Sequence, residues 1–236
     1  MDHPLDRPIW HALASHYAPM ALGDARARRF PPQVHFFAAA ADHGADAQAA
    51  LPALAGPEAP IALIEATPPP LPMPPGIGIT RQVPIEQMLL AGDVAPGPII
   101  DAVALGDHDA ADMRALAELT RPGPFFAATH RMGGFVGVRR RGALIAMAGE
   151  RLRLPGFTEV SAVCTHPDHR GQGLAPALMR IVIARARARG DAVFLHAYPG
   201  NPAIGLYAAM GFVHRRTLTL TVIERVAPAC APPPGR

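Results

Sequence analysis

The chain has no lysine, so all 22 of its basic residues are arginines. This absence excludes the phosphate loop of nucleotide hydrolases, which needs a lysine and then a serine or threonine after its last glycine. The net charge is only +3, and the arginines are scattered rather than interleaved with aromatic residues in a stripe. We therefore expect no nucleic-acid partner, although a mildly basic surface would still attract an acidic small molecule.

Cysteine is scarce as well, with only Cys164 and Cys230. They cannot build a disulfide framework, and we expect them not to pair, because Cys164 falls in a predicted strand and Cys230 in a proline-rich tail. The sequence also lacks a basic segment followed by an apolar one at its start, and an uninterrupted apolar run of the roughly 18 residues that a membrane helix needs. These absences predict a cytoplasmic protein with no signal peptide and no membrane partner.

The most informative segment runs from Val163 to Ala175, where an apolar strand passes through a polar turn into a glycine-rich loop that opens a helix. A helix N-terminus has unpaired backbone N–H groups and the positive end of the helix dipole. Gly171 and Gly173 let the backbone approach an anion closely, and Arg170 adds a permanent positive charge. The segment therefore predicts a binding loop for pyrophosphate.

The dinucleotide-binding fingerprint fits this loop poorly, because the position of its third glycine or alanine is occupied by Pro176. What remains is the pattern Arg-x-x-Gly-x-Ala over residues 170–175. A predicted helix over 174–189, a strand at Val193–Ala197 and the run Asn201–Phe212, with its Asn, Tyr and Gly-Phe, follow in order. This series resembles the acetyl-CoA-binding motif and the closing signature of the GNAT acetyltransferase superfamily, and most closely its bacterial members with a Thr-His-Pro turn before the arginine loop.

The resemblance covers about half of the chain and implies the α/β (α+β) GNAT fold, with a mixed, mainly antiparallel sheet flanked by helices. We expect the catalytic domain at residues 99–225, beginning with a strand at Val103–Leu105 and a helix whose apolar stripe is Met113, Leu116 and Leu119. Helix 174–189 should turn its arginines to water. The resemblance also implies that a helical stretch near Ala127–Met132 lies over the acceptor site. Further strands are predicted at 135–138, 143–151 and 159–165.

Residues 1–98 have frequent turn signals and two short apolar runs, at 61–64 and 87–90, that could be strands. Residues 92–98 have the composition of a linker. One hypothesis makes residues 1–98 a degenerate GNAT-like half, and another makes them an interaction domain that delivers a protein substrate. No loop like 170–175 occurs there, so such a copy would not hold CoA in the same way. Residues 226–236 form a proline-rich tail.

The resemblance assigns cofactor contacts to two segments. Backbone N–H groups of Arg170, Gly171, Gln172, Gly173, Leu174 and Ala175 would bind the CoA pyrophosphate; the alternative is an ordinary strand-to-helix turn. Val163, Cys164 and Thr165 would flank the pantetheine, with an N–H near Val163 polarising the thioester carbonyl; the alternative is a plain core strand. Asn201 would hydrogen-bond the cofactor or cap the helix that carries Tyr207.

Two residues are candidates for proton transfer. By resemblance, Tyr207 is the acid that protonates the departing CoA thiolate, unless it is simply a core tyrosine. Glu159 is the candidate base, acting directly or through water, because it alternates in phase with Ser161 and Val163 on one strand face. The alternative for Glu159 is a salt-bridge partner, and Glu150 and His196 are weaker candidates for the base.

The run His166-Pro167-Asp168-His169 is too tightly spaced for metal ligands on one face, and we expect no metal. The arginines at 185–189 either contact the 3′-phosphate of CoA or, as the helix pattern favours, face water.

The resemblance therefore implies an N-acetyltransferase that moves an acetyl group from acetyl-CoA to a primary amine by direct attack in a ternary complex. An acetyl group trapped on Cys164 would overturn this mechanism. The acceptor would be a small-molecule or peptide amine, with amino acids, polyamines, antibiotics and peptide N-termini all open, and a homodimer is a further expectation. The alternative function is a non-catalytic acyl-CoA-binding sensor or interaction module.

Overall fold

The computed structural model describes residues 3–56 and 59–226. Cys230 and residues 227–236 of the predicted tail lie outside these ranges. In the N-terminal region the helices and strands are, in chain order, α1 (Pro8–Leu13), β1 (Leu22–Gly23), β2 (Ala27–Arg29), β3 (Ala38–Ala40), α2 (Ala45–Gln48), α3 (Leu51–Leu54), β4 (Ile61–Glu65) and β5 (Ile77–Leu90).

The C-terminal region continues with β6 (Val103–Leu105), α4 (Ala110–Thr120), β7 (Phe135–Arg140), β8 (Ala143–Leu154), β9 (Phe157–Thr165), α5 (Leu174–Ala188), β10 (Ala192–Ala197), α6 (Ile204–Ala209) and β11 (Phe212–Arg225). Short 3₁₀ turns lie at Pro4–Asp6, Asp107–Asp109, Thr129–Met132 and Pro167–His169. In the described part of the chain, no helix combines the length and the apolar character needed to cross a membrane.

Most predicted elements are present, with different lengths. The strand at Val103–Leu105 is confirmed, whereas the helical stretch expected near Ala127–Met132 is a single 3₁₀ turn. The apolar run at 87–90 is only the end of β5, which is 14 residues long. The pattern did not show the rest of β5 because its middle, from Thr80 to Gln82, is exposed and polar.

Within the described residues, eight strands form one sheet in the order β4-β11-β5-β10-β9-β8-β7-β6. β9 and β10 run parallel, and the other neighbours in this sheet pair antiparallel. The predicted mixed, mainly antiparallel sheet is thus confirmed. A smaller antiparallel sheet, β1-β2-β3, lies in the N-terminal region.

Strands from the two regions of the sequence alternate in the large sheet. β5 lies between β10 and β11, and β11 lies between β5 and β4. β5 and β11 pair along their full lengths, from Ile77 opposite Arg225 to Leu90 opposite Phe212. The boundary expected after residue 98 therefore falls in a connection between two strands of one continuous sheet.

The sheet opens at its centre. β9 and β10 pair only up to Glu159 and Phe194, although both strands continue beyond that point. Just past it, Ala162 and Val163 of β9 together stand opposite Ala148 of β8, which is a β-bulge, and Ala162 has a φ of 52°. The end of the ladder and the bulge leave backbone groups of β9 free for other partners.

Helix α5 begins at Leu174, as predicted, and buries Leu178 and Val182 against the sheet. Its arginines do not all face water as expected. Arg187 pairs with Asp93, and Arg180 Nε donates to the carbonyl of Ala95 at 3.0 Å. These two side chains hold the connection between β5 and β6 against α5, because the carboxylate of Asp93 and the carbonyl of Ala95 lie within their reach.

Separating the two regions should prevent folding, because β10 and β11 would each lose β5 as a neighbour. We expect fragments 1–98 and 99–236 to be insoluble when expressed alone and to copurify when coexpressed. The control is the intact chain with a Gly-Ser insertion after residue 98. A soluble 99–236 fragment that unfolds cooperatively by itself would contradict this prediction.

Candidate functional site

The loop predicted to bind pyrophosphate lines an open surface cavity of about 560 Å³ including its mouth. It connects β9 to α5, and Gly171 and Gly173 adopt left-handed φ values of 73° and 71°, which favour glycine. Among the described residues, the N–H groups from Gly171 to Ala175 have no backbone acceptor, and the first such bond of α5 is from Ala177 to Gly173. The cavity is lined by Thr165, His169, Arg170, Gly171, Gln172, Gly173, Leu174, Ala175, Pro176 and Leu206.

The histidines of the preceding turn have local roles. His166 Nδ1 accepts a hydrogen bond from the N–H of Asp168 at 3.3 Å, and the rings of His166 and His169 are 5.7 Å apart. In the ranges 3–56 and 59–226, no three His, Cys, Asp or Glu side chains come together as a metal site would require.

A second cavity, of about 510 Å³ including its open mouth, lies where β9 and β10 diverge. The C-terminal region contributes Ser161 of β9, the end of β10 and the loop Pro122–Pro124. The N-terminal region contributes a wall of apolar side chains. The lining residues are Phe36, Phe37, Ile64, Ile85, Pro122, Gly123, Pro124, Arg151, Ser161, His196, Ala197, Tyr198, Asn201 and Leu220. We call this space the acceptor cavity.

The two cavities open along the same strand. Ser161 lines the acceptor cavity and Thr165 lines the loop cavity. Four residues of extended strand span about 13 Å. Val163, at the bulge, lies between them, so the segment 161–165 connects the two spaces.

Glu159 lies beneath the acceptor cavity, and its side chain is fully buried. Arg151 donates to both of its oxygens, at 3.0 and 2.6 Å, and His196 Nδ1 lies 2.8 Å from Oε1. Burial alone would raise the pKa of Glu159, but Arg151 and His196 outweigh burial and lower that pKa to about 2. The carboxylate is therefore held ionised by two partners and is a weak proton acceptor.

The proton on His196 can be assigned from its neighbours. Gln87 Oε1 accepts from Arg215 Nη1 at 2.8 Å, so the nitrogen of the same amide is the donor, and it lies 3.0 Å from His196 Nε2. We infer that Nε2 accepts and that Nδ1–H donates to Glu159. A neutral imidazole satisfies every bond in this network.

The other two candidate bases, Glu150 and His196, are also buried and hydrogen-bonded. Glu150 is buried and accepts from Arg189 at 2.8 Å. The side chain of His196 is fully buried, so this residue borders the acceptor cavity only through its backbone. Among the described residues that line the acceptor cavity, none is an aspartate or a glutamate.

Tyr207 lies in α6, and Asn201 lies in the turn before it. Asn201 Oδ1 accepts from the N–H of Ala203 at 2.9 Å in this turn. The N-cap of α6 is Ala203, which has no side-chain cap bond, so Asn201 does not itself cap the helix. Tyr207 is half-buried and packs edge to face on Phe212, and burial raises the pKa of its phenol. Tyr207 lines neither cavity.

Sequence reasoning missed Tyr198, which lines the acceptor cavity directly after β10. The guanidinium of Arg81 lies 5.5 Å from the centre of its ring. The only sequence signal for Tyr198 is its place, directly after the predicted strand Val193–Ala197 and three residues before Asn201.

Cys164 points away from the acceptor cavity into a small core with Leu105, Met113 and Phe135. Burial raises the pKa of its thiol to about 11. A buried, protonated thiol is inert as a nucleophile.

Replacing Glu159 by Gln should destabilise the protein by about 3–5 kcal/mol at pH 7, because Arg151 would keep a buried, unpaired charge. The folded-state pKa of Glu159 is about 2, below its ordinary 4.5. Its contribution is therefore complete above pH 4.5 and is lost as the pH falls toward 2. As the pH falls from 4.5 toward 2, urea unfolding should show a smaller decrease in the free energy of unfolding for Glu159→Gln than for the wild type.

The control is Glu118→Gln, which removes an exposed pair with Arg114 and should cost less than about 1 kcal/mol. If Glu159→Gln is as stable as the wild type and only loses turnover, Glu159 acts as the base instead.

Comparison with known proteins agrees with this geometry. The FR47-like protein family matches residues 135–220. A solved structure from Novosphingobium aromaticivorans, assigned to the GNAT family of acetyltransferases, is 43% identical, with a TM-score of 0.87, and covers 96% of this chain and 100% of that chain. A GCN5-related N-acetyltransferase from Kribbella flavida is 20% identical, with a TM-score of 0.59 over 94% of this chain and 96% of that chain, which shows the fold alone. No protein of curated function matches the chain significantly.

The Novosphingobium relative shares nearly half of its residues with this chain over its whole length, and the family match contains the loop at 170–175. The chain belongs to the GNAT superfamily of N-acetyltransferases.

Proposed function

We propose that the protein transfers an acetyl group from acetyl-CoA to a primary amine by direct attack in a ternary complex. The observation that carries this proposal is the pair of cavities joined along β9, at the point where its ladder with β10 stops. One cavity has the chemistry of an anion site, and the other is a largely apolar space for an acceptor.

The loop fits the pyrophosphate of CoA. Unpaired N–H groups from Gly171 to Ala175 and the N-terminus of α5 offer donors and positive potential to an anion, and Arg170 adds a charge. The bulge takes Val163 out of the β8 ladder, so its N–H is available to a carbonyl that develops negative charge. Acetyl-CoA, when bound, supplies the thioester whose acyl carbon the amine attacks.

Direct transfer is supported by the state of Cys164. A thiol whose pKa is raised to about 11 is almost entirely protonated at neutral pH, and the lining of the acceptor cavity includes no cysteine among the described residues. An acyl-enzyme on Cys164 would need a thiolate, so the amine itself is the nucleophile.

We assign Glu159 a positioning role in place of the role of base. Its carboxylate holds Arg151, on the wall of the acceptor cavity, and the imidazole of His196. The amine then enters the site in its neutral form, and the proton that its nitrogen loses after attack on the thioester carbon passes to water at the open mouth of the cavity. Tyr207 stays the proposed acid for the thiolate, and Tyr198 is a second candidate because it lines the cavity.

We also infer that residues 1–98 are a degenerate GNAT-like half. The antiparallel order β1-β2-β3 parallels β7-β8-β9, and the parallel bridge between Phe37 and Ala62 corresponds to the parallel ladder of β9 and β10. Where the copy would hold a pyrophosphate, before α2, the surface cavity is lined by Asp42, Asp46 and Arg26, and the charge of Arg26 is already paired with Asp24. Two carboxylates repel a phosphate, so this half supports the acceptor cavity instead.

Substituting Gly173 by Glu should abolish acetyl-CoA binding in isothermal titration, because the new side chain brings a negative charge and strain to the loop. Gly190→Glu is the matched control. Gly190 lies just beyond the other end of α5, also has a positive φ, of 84°, and also faces open space. Equal loss of binding in both variants would contradict the assignment of the loop.

Tyr207→Phe should lower kcat by about 10²-fold if Tyr207 is the acid, with Tyr198→Phe as its counterpart on the cavity wall. Cys164→Ala should keep nearly full turnover at a temperature where it is folded. Thiol release from acetyl-CoA over a panel of amines measures all three. Acetyl-CoA binding without thiol release from any amine would favour the sensor function, and an acetylated Cys164 would refute direct transfer.

A further inference from the structure

The acceptor cavity has a wall built for an apolar group. Phe37, Ile64, Ile85 and Leu220 are each less than 10% exposed yet line the cavity, and Phe36 completes the wall. Phe36 and Phe37 precede β3, and the other three lie on β4, β5 and β11. The strand exchange therefore brings five apolar side chains to the same cavity as Ser161. Apolar surface of this kind binds a ligand group that gains by leaving water.

The charges around the cavity disfavour a polycation. Its lining includes no carboxylate among the described residues, and its one charged side chain is Arg151. Arg151 is already paired with Glu159 and lies over the ring of Phe37 at 5.1 Å. A second guanidinium, that of Arg81, lies over the ring of Tyr198, which lines the cavity. A second ammonium on the acceptor would meet these positive charges without a counterion.

We infer that the acceptor is a monoamine that carries an aromatic or branched aliphatic group, and that polyamines are poor acceptors. This inference rests on the proposed acetyl transfer. The apolar group would lie against Phe36, Phe37 and Ile64, with the amine nitrogen toward Ser161. A volume of about 510 Å³ that includes the mouth limits the acceptor, or the inserted part of a larger one, to the size of a side chain or a small molecule.

The test compares kcat/KM for 2-phenylethylamine, ethanolamine and putrescine by thiol release from acetyl-CoA. We expect phenylethylamine to exceed each of the other two by about tenfold or more, because only it buries a ring. If ethanolamine or putrescine is the better acceptor, this inference is overturned and acetyl transfer still stands. If none of the three releases thiol but a hydrophilic amine or a polyamine of the wider panel does, this inference is overturned and acetyl transfer still stands. If acetyl-CoA binds and no amine of the panel releases thiol beyond the rate of hydrolysis, the proposed function falls, and this inference falls with it.

Two variants of Phe36, which is only partly buried, separate polarity from charge. Phe36→Gln should lower kcat/KM for phenylethylamine without improving putrescine. Phe36→Glu should lower kcat/KM for phenylethylamine similarly. It should also raise kcat/KM for putrescine by about tenfold, because the new carboxylate supplies a counterion for the second ammonium. The affinity for acetyl-CoA should be unchanged in both variants, since Phe36 is not part of the loop cavity. This titration also serves as the control that both variants are folded. Unchanged preference among the three amines in Phe36→Glu would refute the inference.

Discussion

The pairing of β5 with β11 is the constraint on which the rest of the structure depends. Each strand is 14 residues long, and each contributes a neighbour to strands of the other sequence region. Because β5 lies beside β10, residues of the N-terminal region lie next to the place where β9 and β10 diverge. The loop that we propose for the anionic cofactor thus comes from one region, and much of the wall of the acceptor cavity comes from the other. Neither region would have the complete proposed site without this shared pair of strands.

A chain of polar side chains crosses the same sheet. It passes from Arg151 on β8 through Glu159, His196 and Gln87 to Arg215 on β11, and ends on Asp6. The chain ties together five strands next to the opening in the sheet, where backbone hydrogen bonds are missing. A fully satisfied buried network of this kind favours one arrangement of its strands. This network explains why Glu159 is buried and ionised. Its carboxylate keeps Arg151 and His196 in fixed positions beside the opening between β9 and β10.

The parts that could be predicted from sequence are those whose signals lie within one segment. Glycines, an arginine and a 3.6-residue apolar period define the loop and α5 without reference to the rest of the chain. Strand alternation predicted one face for Glu159, Ser161 and Val163, but the bulge at Ala162 and Val163 breaks that phase, and Val163 packs with Val160 against α5. Alternation also could not show that Glu159 is buried, because its depth depends on Arg151 from another strand. The extent of β5 was hidden for the same reason, since its polar middle pairs with a strand far along the chain. Tyr198 gains its position only from the divergence of β9 and β10, and Arg180 and Arg187 from the path of the 92–98 connection.

The exchange of strands between the two regions also determines when the large sheet can form during folding. Phe212 and Leu90 are partners across 122 positions of sequence, and the other pairs of β5 with β11 are farther apart still. Contacts of such long range slow folding, because the closure of a long loop precedes any gain from the pairing. During synthesis, β4 and β5 leave the ribosome long before β11 exists, and both would present unpaired edges in the meantime. The last described strand to be made is the one that covers those edges, so they stay unpaired until β11 has been synthesised.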